Sequence, residues 1–157
     1  MDKIKKLIQD RERFGEILRY LLFGVLTTLV SWAVYFLLTS WLKPDQYADT
    51  SGQRALILNG AQIASWVLSV LFAFVTNKRY VFQSQQKRRG AAREFLLFVS
   101  ARALSYLLFD LLLYNLFVFA LDVNHGLTKI LMNVLVVLFN YFASRYVIFA
   151  KKNRPPM

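Results

Sequence analysis

The sequence predicts an all-α membrane protein with four transmembrane helices, built as two parallel two-helix repeats with both termini cytoplasmic. Three observations predict this class. Residues 20–42 and 55–77 each form a run of 23 residues without a charge, and about 20 apolar residues cross a bilayer as a helix. Two segments close almost identically. Val67-Leu68-Ser69-Val70-Leu71-Phe72 leads to Asn77-Lys78-Arg79-Tyr80-Val81-Phe82, and Val134-Leu135-Val136-Val137-Leu138-Phe139 leads to Ser144-Arg145-Tyr146-Val147-Ile148-Phe149. At an offset of 67, Lys78 falls on Arg145 and Phe82 on Phe149. The lysines and arginines, finally, crowd onto alternate connections. With 157 residues, 57% of them hydrophobic, a soluble fold would have too little interior for its apolar side chains.

The elements follow in order. Residues 1–18 place Ile4, Leu7, Ile8, Phe14, Ile17 and Leu18 at helical spacing between charges. That pattern predicts an amphipathic helix on the inner membrane surface, the alternative being a solvated leader. The first span, residues 20–42, is too long for a cleaved signal and has no small-residue cleavage site after it, so it is read as retained. Within it Gly24, Thr27, Thr28 and Ser31 form a small, weakly polar face suited to close packing. Residues 43–54 contain Pro44, Asp45, Asp49, Ser51 and Gly52 and form an outer loop. The second span covers residues 55–77, and residues 83–93 make a polar, basic inner loop. The third span, residues 95–121, is interrupted by Arg102 and Asp110; residues 122–126 are a short turn; the fourth covers about residues 127–149. The transmembrane domain is expected over residues 19–150, with residues 151–157 a disordered basic tail. Tyr20-Leu21-Leu22-Phe23 matches Phe95-Leu96-Leu97-Phe98 at an offset of 75, which completes the repeat. Two-helix units return the chain to its starting side, so the copies are parallel rather than inverted.

The charge count orients the chain. Sixteen lysines and arginines fall before the first span, between the second and third, or at the C-terminal end; Lys43, Arg54 and Lys129 fall on the other side. Positive residues stay cytoplasmic. The net charge of +11 therefore reports topology and contact with anionic lipid, and no separate basic domain exists to bind nucleic acid. The absence of cysteine excludes disulfide and thiol chemistry.

Arg102 and Asp110 are the first candidates for function, because charges inside a span face protein or water and mark functional sites. With the span centred near Leu108, Arg102 lies about 9 Å to the cytoplasmic side of the middle and Asp110 about 3 Å to the outer side. Arg102, Ser105, Tyr106, Phe109 and Asp110 follow helical spacing and share one face, expected to point into the bundle. A structural ion-paired core is the competing reading. Asn77, Lys78 and Arg145 sit at the inner border, where they either bind a lipid phosphate or anchor the spans by snorkelling. Tyr80, Phe82, Tyr146 and Phe149 read as an aromatic belt, and Asn115, Asn133 and Asn140 as bridges between helices. His125 stands alone in an outer loop. No catalytic set, phosphate-cradling glycine loop, metal site or cofactor site is apparent, so no enzyme is expected.

These motifs together resemble a family. Arg19-Tyr20-Leu21-Leu22-Phe23-Gly24 opens the first span, Asn77-Lys78-Arg79-Tyr80-Val81-Phe82 closes the second, Phe98, Arg102 and Asp110 mark the third, and Arg145-Tyr146-Val147-Ile148-Phe149 closes the fourth. The pattern, over nearly the whole chain, is similar to the GtrA-like family of small four-helix membrane proteins, which includes teichoic acid glycosylation proteins. The resemblance implies flipping of a polyprenyl-phosphate-linked sugar across the bacterial cytoplasmic membrane for cell-surface polysaccharide synthesis, beside a membrane glycosyltransferase. It implies a phosphate site of Asn77, Lys78, Arg102 and Arg145, with Asp110, Ser105 and Tyr106 along the sugar's path. Ser144 stands where Asn77 stands in the other half, which leaves the equivalence of the two halves open. A homodimer would enlarge the path. One rival is a scaffold that recruits the glycosyltransferase. A proton-coupled drug exporter is the other; it needs a glutamate inside the first span, and Glu16 precedes it.

Overall fold

The computed structural model describes residues 2–48 and 52–150, with side chains described for residues 11–48 and 52–150. The tail at residues 151–157 lies outside the described residues, as do part of the first outer loop and the side chains of Ile4, Leu7 and Ile8. Helix α1 is Asp2–Leu42, α2 is Gly52–Thr76, α3 is Arg89–Ser105 and α4 is His125–Ala143. Three of the four continue into wide π-helical turns. These turns are Asn77–Val81 after α2, Tyr106–Leu113 and Leu116–Ala120 after α3, and Ser144–Ile148 after α4. Among the described residues four stretches are long and apolar enough to cross a membrane, namely Arg11–Gln46, Gly52–Val81, Arg89–Ala120 and His125–Ile148.

The chain divides into two compact units, Met1–Val81 and Phe82–Met157. In the first, α1 packs along α2. α1 runs without a break through its basic N-terminal part; at 1.5 Å per residue its 41 residues extend about 60 Å, twice a bilayer's hydrocarbon thickness of roughly 30 Å. The face expected at Gly24 and Thr28 is exposed, and a Cβ on Gly24 would touch nothing within 4 Å. Phe23, Thr27, Val30, Ser31 and Val34 are half-buried instead. Both threonines bond back to their own helix, Thr27 to the Phe23 carbonyl and Thr28 to that of Gly24, so their hydroxyls need no neighbouring helix.

The second unit is a helical hairpin of α3 with its wide turns against α4. The turn between them ends at Asn124, whose side-chain oxygen accepts the backbone N–H groups of Gly126 and Leu127 and so caps α4. His125 is thus the first residue of α4 rather than part of a loop. Asp122 turns the chain with φ 52°, as Lys43 does after α1 with φ 46° and Gln83 after α2 with φ 51°.

Burial is inverted relative to a water-soluble protein. Trp32, Phe36, Leu37, Trp66, Phe119, Leu127 and Ile130 are exposed, while Ser65, Ser69, Thr76, Ser105, Thr128 and Ser144 are buried. Lipid tails are as apolar as leucine, so helices gain nothing by hiding leucine from them and gain contact by placing small residues between backbones. Along α2 the buried line is Ala61, Ser65, Ser69, Ala73, Asn77 and Val81, every fourth residue. Along α4 it is Thr128, Met132, Asn140, Ser144 and Ile148, with half-buried Val136 at the remaining step. These are the same positions at the offset of 67. The two closing turns also share one order of burial, from buried Asn77 and Ser144 to buried Phe82 and Phe149.

That order corrects the expected aromatic belt. Tyr80 and Tyr146 are exposed, but Phe82 and Phe149 are buried and stack with ring centroids 5.2 Å apart. A π-helix bonds i to i+5 rather than i to i+4. The last residue of each wide turn, Val81 or Ile148, and the phenylalanine that follows it are buried.

Candidate functional site

The second unit gathers its rings and guanidinium groups at one end of the hairpin. Tyr141, Phe82, Phe149 and Phe98 form a row, with successive centroids 6.1, 5.2 and 6.2 Å apart. Phe98 is 2% exposed. An arginine stands at each end of the row. The Arg102 guanidinium lies 4.5 Å from the Phe98 centroid. Arg145 Nη1 donates to the Tyr141 hydroxyl at 2.6 Å, and its guanidinium lies 5.9 Å from the Tyr141 ring and 5.6 Å from Tyr146. A desolvated cation over a ring gains about 2 kcal/mol. Stacking engages the flat face of a guanidinium, whose five N–H donors lie in its plane in a fork that matches phosphate. The row thus carries a guanidinium at each end, a group whose planar N–H donors suit a phosphate.

Beside Arg102, Ser105 is buried. Its hydroxyl donates to the Arg102 carbonyl at 2.9 Å and accepts from Asn140 Nδ2 at 3.1 Å, tying α3 to α4. Asn140 therefore bridges helices as the sequence predicts. Asn115 bonds back to the Leu111 carbonyl of its own helix instead, and Asn133 is exposed.

Farther along, Asp110 accepts from Lys129 Nζ at 2.6 Å, with side-chain exposures of 20% and 53%. Lys129 also stands 5.7 Å from the Tyr114 ring. The partner of Asp110 is thus a lysine of α4, 19 residues on, which the sequence reading placed only among the outer charges. The expected single inward face breaks at Tyr106, which is 57% exposed. Phe109 and Asp110, one turn on, are half-buried again and meet α4 through Phe139 and Lys129.

In the first unit Asn77 is 3% exposed and its side-chain oxygen accepts no hydrogen bond, while Lys78 beside it is half-buried. An amide oxygen only accepts, so it suits a hydroxyl or N–H donor. Tyr80 stacks with Phe23 at 5.5 Å and holds this turn against α1.

Glu94 stands out in the fold though not in the sequence pattern. It lies one turn into α3 at 6% exposed, and the Ser84 hydroxyl donates to its carboxylate. Carboxylates are almost never this buried without a partner or a task; its position just after a basic loop hid it. Among the described residues no group of three or more acidic, histidine or cysteine side chains is placed to hold a metal.

Comparison with known proteins places the chain among membrane proteins. The sequence model of the GtrA/DPMS transmembrane domain matches residues 19–149. The membrane protein YwcD of Bacillus subtilis is 37% identical over 133 residues, covering 84% of this chain and 94% of YwcD. The cell wall teichoic acid glycosylation protein GtcA of Listeria monocytogenes is 34% identical over 157 residues, covering 97% of this chain and 99% of GtcA. GtcA of Listeria innocua is 32% identical over 154 residues, covering 95% and 97%. No solved structure matches significantly.

Proposed function

The chain belongs to the GtrA/DPMS transmembrane-domain family, and from that membership we propose that it is a non-enzymatic carrier in cell-wall glycosylation. It moves a polyprenyl-phosphate-linked monosaccharide from the inner to the outer leaflet of a bacterial cytoplasmic membrane. The relatives named for teichoic acid glycosylation support the pathway class. The observation that carries the mechanism is the row of rings with Arg102 and Arg145 at its ends.

The phosphate carries the energetic problem. A charge leaving water for hydrocarbon costs several kcal/mol unless paired. With both termini cytoplasmic, Arg145 and Lys78 lie at the inner border and receive the headgroup. Arg102, one α-helical stretch deeper, keeps the phosphate paired on its way. The prenyl tail stays in lipid. Asp110, paired with Lys129, offers its remaining acceptor capacity to sugar hydroxyls or helps release on the outer side. The two halves form parallel repeats, and a membrane glycosyltransferase on the inner side supplies the glycolipid.

Reconstitution in vesicles with a fluorescent or radiolabelled polyprenyl-phosphate sugar tests this. Arg102→Ala should abolish movement between leaflets while the purified variant stays folded and unfolds several degrees below the parent, through loss of its contact with Phe98. Unchanged transport removes Arg102 from the path. If Arg102→Ala keeps wall glycosylation in cells while loss of co-purification with the glycosyltransferase abolishes it, the chain is a recruiting scaffold.

A further inference from the structure

The hairpin of α3 and α4 leaves one of its spanning asparagines unsatisfied. Asn140 donates to Ser105, and Asn115 donates to the Leu111 carbonyl of its own helix. Asn133 is exposed on α4 and makes no hydrogen bond among the described residues. Lys129, one turn away, gives its ammonium to Asp110 instead. The span is His125–Ile148, which places Asn133 about 5 Å from its midpoint at 1.5 Å per residue. Hydrocarbon extends roughly 15 Å to either side of a bilayer's middle, so a side chain this short reaches neither headgroups nor bulk water.

An amide at that depth has given up its bonds to water and gains none from lipid tails. The remedy open to a spanning helix is a second helix that brings a donor and an acceptor to the same depth. A second copy of this chain does so without any further requirement. The asparagine side chain both donates and accepts, so two of them satisfy each other through reciprocal bonds. Every copy inserts with the same orientation, so the twofold axis of a pair runs along the membrane normal. Residues beside that axis then meet their own counterparts at equal depth.

The residues around Asn133 suit such a pair. Ile130 lies three positions before it and Val137 four positions after, and both are exposed. Alternating steps of three and four make the seam of a left-handed helix pair. One asparagine among β-branched residues on a seam fixes both the number of helices and their register. The seam carries no charge of its own, so two copies meet there without like-charge repulsion.

We propose that α4 pairs with α4 of a second copy around Asn133, giving a parallel homodimer within the membrane. The two amides bond reciprocally, and Ile130 and Val137 pack on either side of them. The inference rests on the membrane setting and on this seam, and it holds whatever cargo the protein carries.

Cross-linking tests it in the full chain, which has no cysteine of its own. Single cysteines are placed at Ile130, Val137, Leu131 and Leu138, and membranes of expressing cells are treated with an oxidant or with mercury(II). Ile130→Cys and Val137→Cys should form covalent dimers. Leu131→Cys and Leu138→Cys are exposed too, but lie about 100° or more around the helix from the seam and should not. Equal cross-linking at all four positions, none at any, or an adduct with a protein of another mass overturns the proposal. Energy transfer between labelled copies in vesicles then reads the amide itself. Asn133→Leu should weaken dimerisation roughly tenfold, the scale of two interhelical hydrogen bonds. Gln62→Leu, the same change at an exposed amide of α2, should leave it unchanged. A dimer that Asn133→Leu weakens no more than Gln62→Leu overturns the pairing. If transport is lost while that dimer persists, Asn133 belongs to the headgroup path and the pairing falls.

Discussion

Ser105 is the point at which the candidate site depends on a single hydroxyl. Asn140 donates to it and it donates to the Arg102 carbonyl, a short chain in which each bond polarises the next. Ser105→Ala leaves a buried amide without its acceptor, which should cost about 1–3 kcal/mol. Asn140→Ala removes the donor and leaves the serine its carbonyl partner, so it should cost less. Interhelical hydrogen bonds in membranes average about 0.6 kcal/mol in double-mutant cycles, and the Ser105–Asn140 coupling should fall near that value, read from unfolding of the two single variants and the double variant in mild detergent. A coupling of zero would mean that the bond does not form. At this scale the sequence was informative about which residues are unusual and silent about their partners. Arg102 and Asp110 are conspicuous because charges in a span are rare. Phe98 looks like any other apolar residue, and Lys129 like a loop charge, until α4 is folded against α3.

The pair of Asp110 with Lys129 joins two elements across the hairpin, and its two halves are unequal. Asp110 is short and mostly enclosed; Lys129 is long and half-exposed, and its stem lets the ammonium reach polar surroundings when its partner is gone. Lys129→Leu strands a carboxylate within a span and should destabilise by about 2–3 kcal/mol, the insertion cost of an aspartate near a helix centre. Asp110→Leu should destabilise less, and the double change to leucine should recover most of the loss, because apolar residues often replace an enclosed ion pair without penalty. Thermal unfolding of the three variants checks the order; a double variant as unstable as Lys129→Leu alone would show that Lys129 acts by some means other than this pair. The helical spans themselves were legible, since runs without charge set their lengths. The π-helical turns were not, because leucine, phenylalanine and valine serve an α-turn and a π-turn equally well. That is why Phe82 and Phe149, which follow such turns, read as a belt when they are core. The duplicated ending was visible as letters, but its line of small residues at every fourth position, from Ala61 to Val81, needed the burial pattern to be seen.

At the scale of the whole molecule, exposed apolar faces on every span leave the membrane as the only solvent that fits, and the remaining question is which way the chain faces it. With spans that alternate as the sequence predicts, sixteen lysines and arginines fall on one side and three on the other. Near an anionic inner leaflet each is worth about 1 kcal/mol, so inversion is strongly disfavoured even after screening. The chain has no cysteine, which makes single-cysteine labelling direct. Gln46 is exposed after α1, His125 at the start of α4, and Gln85 in the connection between α2 and α3. In intact cells a membrane-impermeant maleimide should label Gln46→Cys and His125→Cys, and should reach Gln85→Cys only after permeabilisation. The opposite pattern would put Arg145 and Lys78 on the outer face. Those groups would then receive a lipid from outside, and the direction of transport argued from Arg145 to Arg102 would reverse. Labelling of all three in intact cells would instead show that the connections do not alternate across the membrane, and the parallel two-helix repeat would have to be abandoned along with the direction.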